Sequence, residues 1–165
     1  MRIIGIDPGF AIIGFGIIEY ENSRYKTIDY GAITTPAGED MNVRLGIIYK
    51  DLCDVLDTYK PDVLAVEKLF FNSNQKTVIN VAQARGIILL AAVQRGIKIY
   101  EYTPLEVKKS ITGYGRAVKK QVQEMTRRIL SLQKIPKPDD TADALAMAIC
   151  HAHASSSQLH QYTAK

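Results

Sequence analysis

Cysteines are few, and long apolar runs and a secretion signal are absent from this sequence. Its two cysteines, Cys53 and Cys150, stand far apart and without metal-ligand spacing, so neither a zinc site nor a disulfide framework is indicated. We expect both to be small apolar side chains of the interior. No apolar run approaches the ~20 residues that span a bilayer, and the first residues lack the order of a signal peptide. We therefore expect a cytoplasmic protein without membrane contact.

The length and composition favour one folding unit. With 165 residues, of which 47% are hydrophobic, the chain can bury a substantial core. We predict a single domain over residues 1–155, followed by a polar, disordered tail over residues 156–165.

Positive charge is concentrated in residues 103–138. The net charge is +4, yet residues 103–138 contain nine Lys or Arg against two Glu, a net charge of +7, which leaves −3 for the rest. A basic segment beside an acidic cluster suits a polyanion whose phosphates are held by cations while a metal manages its cleavage. A solvated helix face is the alternative explanation.

Hydrophobic patterning predicts a mixed α/β sheet. Apolar runs separated by polar or Pro-Gly turns indicate three antiparallel strands, and later runs alternate with longer amphipathic segments. The predicted strands are 2–7, 11–20, 25–34, 63–66 and 97–102, and the predicted helices are 41–59, 75–95, 117–132 and 139–154. The apolar stripes assigned to two helices are Val43, Ile47, Leu52, Val55 and Leu56, and Val118, Val122, Met125, Ile129 and Leu132. This order predicts a five-stranded sheet with three antiparallel strands, then two parallel ones, flanked by helices.

Four acids occur where such a sheet can bring them together. Asp7 ends the first strand and Glu67 ends the fourth, and ligand sites form at the carboxyl ends of strands in open α/β sheets. Asp140 and Asp143 stand three apart at the start of the last helix, so both can point from one face toward those strand ends. Four converging carboxylates with no basic residue among them suggest a divalent-metal site.

The chemistry of such a site follows from its ligands. Mg²⁺ prefers oxygen ligands and is usually held by a few carboxylates, substrate phosphate and water. Two ions about 3.5–4 Å apart can activate a water on one side of a phosphodiester and stabilise the leaving oxygen on the other. Asp7, central to the sheet, is the natural bridge between them.

Each acid also has a simpler explanation. Asp140 and Asp143 can complement a helix start, although Asp139 is available as the cap. Asp7 precedes Pro-Gly and can serve the turn, and Glu67 can pair with Lys68. Their joint occurrence favours the metal site.

Two aromatic side chains, Phe70 and Phe71, directly follow the fourth strand. Two adjacent aromatics do not easily face one core, so one can stay exposed and stack on bases or wedge between them; core packing is the alternative. His151 and His153 have a spacing that points them apart on a helix. We expect both histidines at the surface.

Five segments resemble the RuvC family of bacterial Holliday junction endonucleases over residues 1 to about 155. They are Gly5-Ile6-Asp7-Pro8-Gly9, Glu67-Lys68-Leu69-Phe70, Ala82-Gln83-Ala84-Arg85-Gly86, the basic segment 107–122 with Gly113-Tyr114-Gly115, and Asp140-Thr141-Ala142-Asp143-Ala144-Leu145-Ala146. The resemblance implies an RNase H-like fold, a homodimer, and Mg²⁺-dependent paired nicking of opposed strands at a four-way DNA junction. It also implies two Mg²⁺ per site, with Mn²⁺ as a substitute, and the RuvA and RuvB branch-migration complex as partners.

The resemblance also assigns roles residue by residue. Asp7, Glu67, Asp140 and Asp143 match the catalytic acids, and Lys119 matches a basic residue near the scissile phosphate. The expected DNA-contacting residues are Phe70, Phe71, Asn74, Lys76, Lys108, Arg116, Lys119 and Lys120. Lys68 stands where the family usually has Gln, and some relatives have His at the position of Asp143.

The alanine-rich helix around residues 78–92 is the expected dimer element, because small residues allow close packing; burial within one subunit is the alternative. Three other functions remain open. They are an RNase H or a small nuclease of ribosomal RNA precursors on the same fold, an actin-like ATP-binding fold, for which the chain is short, and a non-catalytic junction-binding module.

Overall fold

A mixed five-stranded sheet organises the structure, a computed structural model that describes residues 1–69 and 75–163, with side chains described in 1–69 and 78–156. The strands are β1 (Arg2–Asp7), β2 (Ile12–Glu21), β3 (Arg24–Thr34), β4 (Val63–Glu67) and β5 (Lys98–Tyr102). They lie in the order β3-β2-β1-β4-β5. The first three pair antiparallel, whereas β4 runs parallel to both β1 and β5, which confirms the predicted sheet.

In the part of the chain that the structure describes, five helices flank the sheet. They are α1 (Met41–Tyr59), α2 (Gln75–Val93), α3 (Pro104–Thr112), α4 (Lys119–Ile129) and α5 (Asp139–Thr163). Helices α1 and α2 pack with one cluster of buried residues, which includes Ile4, Ile6 and Ile17. Helices α3, α4 and α5 pack with the other cluster, which includes Ile3 and Ala65. Successive residues of β1 thus alternate between two cores, as the two-residue period of a strand requires.

Helix α5 lies unusually close to the sheet because glycines face it. A Cβ on Gly5 would lie 2.0 Å from the carbonyl oxygen of Ala144, and one on Gly14 would lie 2.0 Å from that of Asp140. Gly16 similarly leaves room for Leu145. Glycine is the residue that allows such close approach of two backbones.

Several helix boundaries differ from the predicted ones. Helix α1 has the predicted bounds, but α4 is shorter than 117–132 and α5 continues to Thr163 rather than ending near Ala154. Helix α3 was missed. The sequence signals of its start were present, because Thr103 and Glu106 form a capping box and Pro104 occupies the first turn. The Glu106 amide donates to Thr103 Oγ1 at 3.2 Å, and the Thr103 amide donates to Glu106 Oε2 at 2.7 Å.

The predicted apolar stripes were wrong at their edges. The buried residues of α1 are Arg44, Ile48, Leu52 and Leu56, spaced four apart, and Val43 is exposed. In the α4 region Val122 is buried but Val118 is exposed, because Val118 precedes the helix as its N-cap. A regular helical period therefore predicts burial incorrectly near the start of a helix.

The surface placement of the histidines was also wrong for His151, which is buried. Its Nδ1 lies 2.7 Å from the hydroxyl of Tyr102, and its ring centroid lies 4.3 Å from that of Tyr100. His153 is half-buried, with its Nδ1 2.8 Å from Ser110 Oγ. Both rings are held by neighbours on α3 and β5. Cys150 is buried and Cys53 half-buried, and both are free thiols.

Within the described residues, no helix is long and apolar enough to cross a membrane.

Candidate active site

Sheet register brings the first two acids side by side. Strands β1 and β4 are parallel neighbours, with Ile6 opposite Val66, so Asp7 and Glu67 follow at the same edge of the sheet. Asp7 lies opposite Gly14 on β2, and Gly14 lies under the backbone of Asp140. The first turn of α5 therefore sits over the end of β1, as the prediction required.

The other three acids act electrostatically on Asp7. Burial first, and then the charges of Asp143, Glu67 and Asp140, raise the pKa of Asp7 to about 7, while Lys119 acts in the opposite direction. Burial, and then Asp143, also raises the pKa of Glu67. Like charges in a partly buried site oppose ionisation. Positive charge beside these acids therefore favours their ionised forms.

Lys119 supplies part of that positive charge. Its Nζ lies 2.7 Å from a carboxylate oxygen of Asp143 and 3.8 Å from one of Asp139. The bond to Asp143 raises the pKa of Lys119, whereas burial raises the pKa of Asp143 and Lys119 lowers it in part. The prediction that no basic residue lies among the acids was therefore wrong. Helix α4 begins beside the first turn of α5 and places Lys119 next to Asp143.

Two adjoining cavities open at these acids. The first has a volume of about 200 Å³ and reaches between α3, α4 and α5. It is lined by Asp7, Glu67, Pro104, Val107, Lys108, Lys119, Val122, Asp143, Ala146 and Met147. The second, of about 420 Å³, shares Asp7, Glu67 and Pro104 and extends toward Lys68, Leu69 and Val81. Asp7, Glu67 and Asp143 thus line a cleft, whereas Asp140 lines neither cavity.

The structure separates the predicted basic residues into two groups. Lys108 and Lys119 line the acid cavity. Arg116 is exposed between α3 and α4, and Lys120 lines a different groove with Tyr114 and Arg128. Lys76 is in the first turn of α2, but its side chain, like Phe70, Phe71 and Asn74, lies outside what the structure describes.

Comparison with known proteins decides the family. The family model of crossover junction endodeoxyribonuclease RuvC matches residues 3–151. The chain belongs to the RuvC family.

RuvC proteins of two bacteria are similar along almost their whole length. The chain is 56% identical to crossover junction endodeoxyribonuclease RuvC of Caldanaerobacter subterraneus subsp. tengcongensis, covering 94% of each chain. It is 57% identical to that of Clostridioides difficile, covering 94% of this chain and 92% of the relative. Among solved structures, Thermus thermophilus RuvC in complex with a Holliday junction is 34% identical, with a TM-score of 0.89 and 94% of each chain covered. The RNase H-like fold expected from the resemblance is therefore confirmed.

The RuvC-family site has the ligand chemistry of a divalent cation. Its acids offer only oxygen ligands, which suit a hard cation, and their mutual repulsion at Asp7 calls for positive charge. Among the described residues, no three His, Cys, Asp or Glu side chains are close enough as placed to coordinate one ion. The fit thus rests on the donor types and their convergence, with Lys119 paired to one of the acids.

Two features of this RuvC-family cleft were missed in the sequence. Pro104 and Val107 form its wall, and the capping signal of α3 was the clue to them. Arg85, within a motif that had received no role, donates from Nε to the carbonyl oxygen of Glu67 at 3.4 Å. This contact cannot be predicted from a local sequence pattern, because it joins a helix to the end of a strand 18 residues earlier.

Proposed function

We propose that this protein is a divalent-metal-dependent endonuclease that resolves four-way DNA junctions. The observation that carries the proposal is the position of Asp7 and Glu67 at the ends of adjacent parallel strands, in a cavity that Asp143 also lines. Burial and the charges of the other three acids raise the pKa of Asp7 to about 7 there. Membership of a family of crossover junction endodeoxyribonucleases supports it, as does the similarity to a RuvC structure that contains a Holliday junction. The +7 segment beside the acids gives the surface a means of holding phosphates.

In this proposal Asp7, Glu67, Asp140 and Asp143 hold two Mg²⁺ ions, for which Mn²⁺ can substitute. The ions, when bound, supply an activated water and stabilise the departing 3′-oxygen. The products carry 5′-phosphate and 3′-hydroxyl ends. Asp7 would be central to holding them, because it lies at the end of the middle strand β1 and the other three acids act on it electrostatically.

The basic side chains have different proposed DNA contacts, according to their positions. Lys119 and Lys108 line the acid cavity and contact the phosphate that is cut. Arg116 and Lys120 are exposed outside it and hold the backbone of the arms, together with Lys76. Phe70 contacts the junction centre, as the family resemblance implies, and Phe71 and Asn74 are further DNA-contacting residues.

The protein acts as a homodimer in this proposal, and α2 forms the interface. The small residues expected at the interface, Ala84, Ala91 and Ala92, are fully buried within the subunit, because α2 packs closely on the sheet. The opposite side of α2 exposes a line of residues that we term the α2 stripe: Ile79, Gln83, Gly86, Leu90 and Val93. Their alternating spacing of four and three is that of a helix-pairing seam. Two identical subunits would present two sites to a two-fold junction.

Leu90→Asp tests the interface. A charge in a seam that excludes water is costly, so we expect a dimer to become a monomer by light scattering coupled to gel filtration. Val43→Asp is the matched control, because Val43 is an exposed apolar residue on α1. A dimer that survives Leu90→Asp would contradict the interface.

The site is tested by Asp7→Asn in a nicking assay on a synthetic four-way junction with and without Mg²⁺. We expect wild type to nick opposed strands only with Mg²⁺ and Asp7→Asn to bind the junction without cutting it. Asp54→Asn, which makes the same change of charge at an exposed position on α1, should cut normally. Retained cleavage by Asp7→Asn would refute the site.

The same assay separates the alternatives. Preferential cleavage of an RNA/DNA hybrid or of precursor ribosomal RNA would indicate that this nucleic acid, rather than the four-way junction, is the substrate. Binding without any metal-dependent nicking by wild type would indicate a non-catalytic module. Partnership with RuvA and RuvB, and action in the bacterial cytoplasm, are also part of the proposal. Co-migration of wild type with RuvA-RuvB-bound junctions tests the partnership.

A further inference from the structure

Arg85 joins helix α2 to the strand end that carries Glu67. Its guanidinium forms an ion pair with the carboxylate of Glu101 on β5, and its Nε lies 3.4 Å from the carbonyl oxygen of Glu67. Only 14% of the Arg85 side chain is exposed, against 42% for Glu101. A charged side chain is thus largely withdrawn from water beside an acid of the site.

The backbone around Glu67 is held from two elements. Lys68, the next residue, donates its amide to the carbonyl oxygen of Tyr102 on β5 at 2.8 Å. Arg85 holds the carbonyl of Glu67 itself from α2. Together with the pairing of Glu67 opposite Tyr102 of β5, these contacts hold the last residue of β4. The direction of the Glu67 carboxylate follows from the position of its backbone.

Burial of an arginine has a cost that its partners must offset. Removing a charge from water costs free energy unless hydrogen bonds and an opposite charge replace the solvent. Glu101 supplies the charge, but a more exposed arginine could pair with it equally well. The position of Arg85 is explained when its contact with the Glu67 backbone is included.

We infer that Arg85 is a positioning residue that holds Glu67 in the orientation needed to bind a metal ion. The inference rests on the proposed function, since it assigns Glu67 to the metal site. Arg85 contacts the backbone rather than the carboxylate, so it acts through Glu67. Groups that orient metal ligands in this way typically alter metal affinity about 10- to 100-fold when removed.

A second arginine provides a matched control. Arg95, just beyond α2, pairs with both carboxylate oxygens of Asp57 at 2.7 Å. It joins α2 to α1 on the same side of the sheet as Arg85 but far from Glu67. Arg95→Met therefore removes a structural ion pair of the same type without touching the site.

The decisive measurement is the affinity of the DNA-free protein for Mn²⁺, by titration calorimetry. We expect Arg85→Met to weaken Mn²⁺ binding by about 10-fold and to shift the metal concentration for half-maximal junction nicking in parallel. Excess Mn²⁺ should restore much of the nicking rate. Arg95→Met should lower thermal stability but leave both metal readouts unchanged.

Two milder variants guard against misfolding. Arg85→Lys keeps the charge but cannot make both contacts from its single nitrogen, so its Mn²⁺ affinity should fall between those of wild type and Arg85→Met. Glu101→Gln leaves the Nε contact in place and should have a smaller effect in the same direction. Wild-type Mn²⁺ affinity in Arg85→Met, or in both milder variants when Arg85→Met does not fold, would overturn the inference.

Failure of the inference is separable from failure of the proposed function. If wild type nicks the junction and Arg85→Met binds Mn²⁺ normally, the proposed function stands and the role of Arg85 falls. If wild type does not nick the junction, the proposed function falls, and the Mn²⁺ affinities still decide whether Arg85 positions a metal ligand.

Discussion

The two faces of the sheet are built on different principles. The face toward α1 and α2 carries large branched side chains, among them Ile4, Ile13 and Ile17, all fully buried. The face toward α5 has glycines at the positions where the helix crosses, Gly5 and Gly14. One face gains stability by filling volume, whereas the other gives up side chains so that a helix can come close.

That difference explains where the site lies. A helix packed over isoleucines stays at the usual distance set by its side chains, too far for its first turn to reach a strand end. Helix α5 instead rests on glycine, which brings Asp140 and Asp143 to Asp7. Each face thus has its own buried core, but only the close face carries the acids of α5.

The largest expected effect comes from closing the gap on the glycine face. Gly14→Ala places a Cβ 2.0 Å from the backbone oxygen of Asp140, a clash that no side-chain rotation relieves. We expect a loss of about 4 kcal/mol in the free energy of unfolding, measured in urea, and loss of nicking by the remaining folded protein. Near-normal stability would mean that α5 is not tightly seated.

Opening a hole in the filled face should cost somewhat less and leave the chemistry intact. Ile17 is fully buried on the α1 and α2 side, so Ile17→Ala should lose roughly 3 kcal/mol through lost burial and a cavity. At temperatures well below melting, the nicking rate per folded molecule should match wild type. A strong loss of nicking at unchanged folded fraction would show that the two faces are not independent.

The pH dependence of stability should distinguish the charged face. The pKa of Asp7 rises from 3.8 to about 7 on folding, so between these values the native state keeps a proton that the unfolded state has released. Stability from this group is therefore present below pH 3.8 and is lost as pH rises toward 7.

Comparison with Asp7→Asn isolates the contribution of Asp7. Relative to that variant, metal-free wild type should lose roughly 3 kcal/mol between pH 4 and 7, measured by urea unfolding in each buffer. Acids with lowered pKa, such as Glu124 at about 2, act in the opposite direction but are common to both proteins. Parallel stability curves would contradict the raised pKa.

The smallest effect should come from a glycine that faces nothing. A Cβ on Gly46 in α1 meets no atom within 4 Å, and alanine is the better helix former. Gly46→Ala should therefore stabilise the protein by about 0.5–1 kcal/mol without altering nicking, measured by thermal unfolding. Destabilisation would show that glycine is required for another reason in this helix.

Much of the architecture was predictable because it depends on local patterns. The bounds of β1 and α1 follow from apolar period and turn residues, and Glu67 was expected at the end of β4 because an apolar run stops there. Helix α3 was equally predictable from the capping box of Thr103 and Glu106, although it was missed. The heptad-like α2 stripe was readable in principle, but the sequence alone does not say which side of an apolar helix stays exposed.

The sequence by itself determined which strands end in acids, where the basic segment lies and to which family the chain is similar. Only the tertiary structure decided that Lys119 pairs with Asp143, that His151 is buried, and that Arg85 reaches the backbone of Glu67. Period and capping are properties of neighbouring residues, so they can be read along the chain. These three contacts join segments distant in sequence, and their distances are set by how closely the helices pack on the sheet.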